Sequence, residues 1–143
     1  MKSKFSSSLA ILLVIATVLT ACGEQPVSAQ GFGTQEFIAA LQAQGMDAEK
    51  GDSVEQAFFS VIGNFVNFEG ESVQVFEYDS AETMESDSLL VAPDGGAIGT
   101  SMVTWVATPH FYKKDHILVL YIGDNAETLG VLESVLGPQF AGR

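Results

Sequence analysis

The stretch Glu69-Gly70-Glu71-Ser72-Val73-Gln74-Val75-Phe76-Glu77-Tyr78-Asp79-Ser80-Ala81-Glu82-Thr83-Met84 holds three local instructions in succession. Glu69-Gly70 has turn chemistry, because glycine enters positive φ without a Cβ penalty. Val73 to Tyr78 is rich in β-branched and aromatic residues, which fit a pleated strand. Asp79-x-x-Glu82 then sets acceptor oxygens where the first amides of a helix lack partners, and Ala81, Met84, Ser88 and Leu89 share one side of that helix. Upstream, Phe58, Phe59, Val61, Phe65, Val66 and Phe68 read as extended structure, interrupted or bulged at Gly63. Together these segments predict a ββα unit.

The chain then writes the same order again. Pro93-Asp94-Gly95-Gly96 is a strong turn signal that closes the first unit. Ser101 to Ala107, with Met102, Val103, Trp105 and Val106, predicts a strand; Lys113-Lys114-Asp115 predicts a turn; His116 to Ile122 is the most apolar strand. Asp124-x-x-Glu127 opens a last helix bearing Leu129, Leu132 and Leu136, ended by Gly137 and Pro138. Asp79-Ser-Ala-Glu-Thr-Met84 matches Asp124-Asn-Ala-Glu-Thr-Leu129 at four of six positions. Either two caps converged on the same chemistry or a ββα unit was duplicated. Ahead of both, Thr34 is a fair N-cap for a helix with Phe37, Ile38 and Leu41 on one face, stopped by Gly45, and Met46–Glu49 suggests a short strand. The expectation is an α+β domain: an N-terminal helix, two ββα units, and a four-stranded, mainly antiparallel sheet. The helices would lie on one face, with the other solvated or shaped for a partner.

The N-terminus speaks of location. Lys2 and Lys4 precede Ser6 to Ser8 and an apolar run from Leu9 to Leu19. A helix of that length rises about 16 Å, roughly half of a bilayer's hydrocarbon core. A basic segment, a short apolar run and small residues after it make a secretory signal. Leu19-Thr20-Ala21-Cys22 resembles the lipobox of bacterial lipoproteins. The resemblance covers only this N-terminal segment. It implies that residues 1–21 are a signal peptide and that Cys22, once acylated, becomes the first residue of an extracytoplasmic, membrane-anchored protein. Cys22 is the only cysteine, so no internal disulfide can hold the fold. Acyl chains contribute about 0.8 kcal/mol per buried methylene, so two or three anchor a protein stably. Residues 22–33 read as a tether, reaching about 15–20 Å as a flexible coil, and residues 34–143 as one domain. Gly23, where lipoprotein sorting favours Asp for inner-membrane retention, permits either membrane of a two-membrane cell.

Beyond the signal, the four basic residues Lys50, Lys113, Lys114 and Arg143 face all 18 acidic ones, a net charge of −14. Such a field repels nucleic acid and anionic head groups. There is no Gly-rich phosphate loop, nucleophile elbow or HExxH, and no cofactor is implied. His110 and His116 would face each other across a hairpin centred on Lys113, and could then share a metal. A Lys113-Lys114 turn would instead pair Phe111 with His116 and dissolve that site. Glu77, Asp79, Glu82, Glu85 and Asp87 are carboxylates enough for calcium or acid–base work, but they lack EF-hand spacing.

The best recognition candidate is Trp105, His110, Phe111, Tyr112, Lys113 and Lys114, which combines aromatics, an edge-exposing Pro109 and the one basic spot. The expected function is a non-enzymatic binding or accessory module of the cell envelope, contacting an envelope protein or a small ligand. The alternative is an envelope enzyme using carboxylates, which requires a hollow where two carboxylates, or a carboxylate and His110 or His116, converge. Whatever the activity, self-repulsion at −14 should be screened by salt. The urea midpoint should rise between low and moderate ionic strength; a midpoint that stays fixed would contradict the charge argument.

Overall fold

The computed structural model describes residues 31–143, so the expected signal peptide, the expected lipobox with Cys22 and most of the expected tether lie outside the described residues. The elements run α1 (Thr34–Ala43), β1 (Ala48–Val54), β2 (Gly63–Phe68), β3 (Glu71–Glu77), α2 (Ala81–Ser88), β4 (Ala97–Ile98), β5 (Ser101–Met102), β6 (Pro109–Lys114), β7 (Ile117–Ile122), α3 (Ala126–Leu136) and β8 (Ala141–Gly142). The domain is α+β. Its main sheet has six strands in the order β1-β2-β3-β7-β6-β8, and every pairing in it is antiparallel. The four-stranded sheet of the sequence reading is corrected to six strands, because β1 and β8 add an edge on each side.

Local chemistry fixes the two hairpins. Glu69 and Gly70 both have positive φ, 51° and 80°, which matches the twist of the strands they join, and Phe68 pairs with Glu71. In the second hairpin Lys114 pairs with Ile117, so the turn is Asp115-His116, not Lys113-Lys114-Asp115. Strand β6 continues to Lys114 because its side chains are gripped from both faces of the sheet. The strand expected over Ser101–Ala107 is also corrected. Only Ser101–Met102 is extended, as half of the separate two-stranded β4-β5 sheet, and the main-sheet strand begins at Pro109. A proline lacks a ladder N–H and is tolerated at a strand's first residue.

Both helix caps sit one residue later than the aspartates. Ser80 Oγ accepts from the Thr83 amide at 3.2 Å, and Asn125 Oδ1 accepts from the Glu127 and Thr128 amides at 3.0 and 3.4 Å.

The sheet is covered on both faces, which overturns the expectation of helices on one face and an open sheet face. Val73, Val75, Ile117, Val119 and Tyr121 pack with Phe37, Ile38 and Leu41 of α1 and Leu132, Val135 and Leu136 of α3. Phe76, Leu118, Leu120 and Phe111 point the other way, against Phe59, Tyr78, Met84 of α2, Val91 and Ile98.

The two ββα halves are therefore not related by a two-fold. Strands β3 and β7 are antiparallel neighbours, and a two-fold axis through that pair would leave both helices on one face. The run from hairpin turn to cap is one residue shorter in the second half, His116 to Asn125 against Gly70 to Ser80. A single-residue step reverses which face a strand residue serves, and the helix that follows goes with it.

One polar knot ties the second layer together. The buried Asp87 carboxylate accepts from the Ser60 amide at 2.7 Å, the Ser60 hydroxyl at 2.8 Å and the Tyr78 hydroxyl at 3.0 Å. Burial, reinforced by the Asp87 carboxylate, pushes the Tyr78 phenol well above its ordinary range. Replacing Asp87 by Ala strands a buried hydroxyl and a backbone amide. It should cost about 3 kcal/mol in urea unfolding and raise hydrogen exchange in residues 57–62 before the sheet. A loss below about 1 kcal/mol would show the knot to be incidental.

Candidate functional site

The six recognition residues do not form one surface. Strand β6 runs between the two core layers, so Phe111 and Tyr112 are buried on opposite sides of it and His110 is buried as well. The basic spot is engaged internally. Lys113 Nζ donates to both Glu85 oxygens, at 2.6 and 2.7 Å, and lies 4.9 Å from the Phe140 ring centroid. Lys114 Nζ donates to the Val135 carbonyl at 2.7 Å, at the C-terminal end of α3 where a cation complements the helix dipole. It also lies 4.2 Å from the Phe32 ring centroid. Each lysine thus fastens a helix to β6, one on each face.

The two histidines lie at opposite ends of the hairpin: His110 pairs with Tyr121, while His116 is in the turn. Neither register considered for the hairpin, the one that would let them share a metal or the one that would dissolve that site, is the observed one. His110 Nδ1 is 2.7 Å from Gln139 Oε1 and its ring stacks on Tyr121, leaving Nε2 buried without a partner. Among the described residues no three His, Cys, Asp or Glu side chains are grouped to hold a metal ion.

Lys113 and Lys114 line an open hollow with Glu82 and Glu85, while Trp105 reaches a separate one. Its Nε1 donates to the Gly95 carbonyl at 2.7 Å, and its ring meets Phe58 and Phe111 edge to face at 6.3 and 5.9 Å. The Trp105 hollow, about 450 Å³, is lined beside it by Asp94, Thr104, Thr108, Asp124 and Arg143. Asp94 Oδ1 accepts from the Gly96 amide at 2.9 Å, and its Oδ2 lies 3.8 Å from Arg143 Nη2.

The layer that carries Trp105 also exposes apolar side chains. Val106 is 97% exposed and Met102 87%, and Ile62, Leu89 and Leu90 are exposed too. These are all the large exposed hydrophobics among the described residues, and every one lies on the segments covering the sheet face opposite α1 and α3. The sequence reading missed Ile62, Leu89 and Leu90 as surface residues because they sit in ordinary apolar runs. Asp94 and Asp124 were legible as turn and cap residues, without any hint that they share a hollow.

A further hollow, about 770 Å³, lies at the other end of β6 and holds Glu77, Asp79, Asp115 and His116. It meets the geometric condition set for the carboxylate enzyme. His116 stands between two acids, Nε2 3.4 Å from Glu77 Oε1 and Nδ1 3.8 Å from Asp115 Oδ1. Such a trio can hold or move a proton. The neighbouring Ser80 hydroxyl is occupied in capping α2, and Glu77 already has a structural task. Glu77 Oε2 accepts from the Thr34 amide at 3.1 Å and from the Thr34 hydroxyl, closing the start of α1.

Burial alone would raise the Glu77 pKa, but the Thr34 bonds and His116 outweigh it and hold the carboxyl below its usual 4.5. A carboxylate stabilised this way contributes stability above its unfolded pKa and loses it as pH falls through the folded one. At neutral pH Glu77→Gln should therefore lower the melting temperature. The gap to the wild type should close as pH drops below the ordinary carboxylate range, followed by thermal unfolding from pH 7 to 2.5. A gap independent of pH would remove the charge from the explanation.

Set beside known proteins, the chain matches no family model, no curated protein and no solved structure.

Proposed function

We propose that this chain is an extracytoplasmic lipoprotein, held to a bacterial membrane through Cys22, whose domain is a non-enzymatic binding or accessory module. It contacts an envelope protein or a small ligand through the Trp105 end. One observation supports this reading above others. In a domain this acidic, all five large exposed hydrophobics of the described residues lie on one covering layer, and the most exposed of them, Val106, adjoins the chain's only tryptophan. Clustered apolar exposure on an otherwise charged surface is characteristic of interaction sites. The described residues contain no helix long and apolar enough to cross a membrane, and the lipid on Cys22 would supply the attachment.

The placement of the arm agrees with this. The Phe32 amide donates to Asp115 Oδ2 at 2.6 Å, and Phe32 packs on the α1 and α3 core, so the chain enters the domain at the β6-β7 turn. Trp105 lies beyond the other end of β6, about 20 Å away by strand geometry. A domain held at its turn end presents the Trp105 end outward.

The second reading, an envelope enzyme using carboxylates, is favoured by the hollow at Glu77 and His116. The duty of Glu77 at the start of α1 weighs against its being a free acid or base. Two measurements test the proposal. A palmitate analogue fed to cells should label the wild type and not Cys22→Ser; equal labelling would refute the anchor. A photocrosslinker at Val106 should capture a discrete partner in intact envelopes, while one at the exposed Glu133 of α3 should not. Equal capture from both positions would remove the Trp105 end as a docking surface.

A further inference from the structure

The chemistry of the Trp105 hollow narrows what can dock there. Its walls combine an aromatic ring, the hydroxyls of Thr104 and Thr108, and two carboxylates, Asp94 and Asp124, over apolar Val103 and Pro109. Among the described residues the one basic group lining it is Arg143. Arg143 and Asp94 are both largely solvent-exposed, and their closest approach is 3.8 Å, without a hydrogen bond or a bidentate fork. A guanidinium therefore already sits against Asp94 at the hollow, held loosely enough to leave.

We propose that the Trp105 hollow receives an arginine or lysine side chain carried by an apolar, extended segment of a partner protein, and that Arg143 holds that place in the unbound domain. The inference rests on the Trp105 end being the docking surface and adds the partner's chemistry. Charge complementarity selects this occupant. The net charge of −14 beyond residue 21 disfavours a second copy of the chain and an anionic membrane, since either would bring like charge against Asp94 and Asp124. A basic segment is attracted by the same field. Its cation has carboxylates to meet and an aromatic ring beside them, and its apolar residues can cover Val106 and Met102, which are otherwise left in water.

Trp105 is the only tryptophan, so its fluorescence reports on the hollow directly. The experiment uses the full chain reconstituted in neutral phosphatidylcholine vesicles, titrated with the tryptophan-free peptide acetyl-Leu-Arg-Leu-Arg-Leu-amide at low salt. Peptides with glutamine or glutamate in place of arginine serve as comparison. The arginine peptide should change Trp105 emission saturably, and the glutamate peptide should not. Asp94→Asn combined with Asp124→Asn should weaken binding about fivefold; asparagine still accepts the Gly96 amide, so the turn is kept. Asp47→Asn with Glu49→Gln removes the same charge at the far edge strand and should change binding less than about twofold. Arg143→Ala should tighten it by removing the internal competitor.

No saturable response to the arginine peptide, or an equal response to the glutamine peptide, would overturn the proposal. So would equal weakening by the two charge pairs, which would mean general attraction by an acidic domain, and so would loss of binding in Arg143→Ala. A discrete crosslink from Val106 with no arginine-peptide response leaves the docking surface standing and removes only the partner chemistry. Failure of both removes both.

Discussion

The constraint on which the rest depends is that the two central strands, β3 and β7, are buried on both faces. Their pairing sets Val73 and Val75 beside Tyr121 and Val119 on one side, and Phe76 and Gln74 beside Leu118 and Leu120 on the other. A strand pair this apolar cannot present either face to water at about 25 cal/mol per Å², so the chain must supply two covering layers. Helices α1 and α3 cover one side as regular elements. The second side is covered by pieces: a short helix, the 55–62 loop, the β4-β5 hairpin and the Trp105 segment. Irregular cover leaves gaps and edges that two packed helices do not, and the apolar surface and the Trp105 hollow are both found there.

Legibility in the sequence follows the same division. The Glu69-Gly70 turn, the strand after it and the capped helices were readable because each rests on short-range chemistry. Edge strand β1 was only half visible. Ala48–Val54 is polar, with a register shift between Lys50 and Ser53, and a strand so built avoids pairing with other chains but shows no alternation. The two residues of β8 carry no periodic signal at all. The face taken by α2 turned on one residue of spacing, which no local pattern announces. Apolar character misled at Met102 and Val106, where hydrophobic residues suggested a buried strand and the chain instead runs over the surface.

The candidate site failed in the reading for a related reason. Lysines beside aromatics in an acidic chain look like a basic recognition spot. Strand β6, however, lies between two layers, and its side chains are distributed to both. Lys113 reaches the ion pair with Glu85 on α2, and Lys114 reaches the last turn of α3. Proximity in sequence on a doubly buried strand means separation in space. Trp105 stays at the surface hollow because it precedes that strand.

The fastening of Phe32 has a mechanical consequence. An arm that ended freely at Gly33 would let the domain swivel about α1. With the Phe32 amide on Asp115 and its ring under Lys114, Phe32 and the β6-β7 turn are fastened into one body. If the proposed anchor on Cys22 holds the chain, a pull from upstream would act through a lever whose far end is the Trp105 hollow. A small rotation at the turn would then sweep that hollow through an arc, and the clasp at Phe32 would set how wide a shell the anchored domain searches.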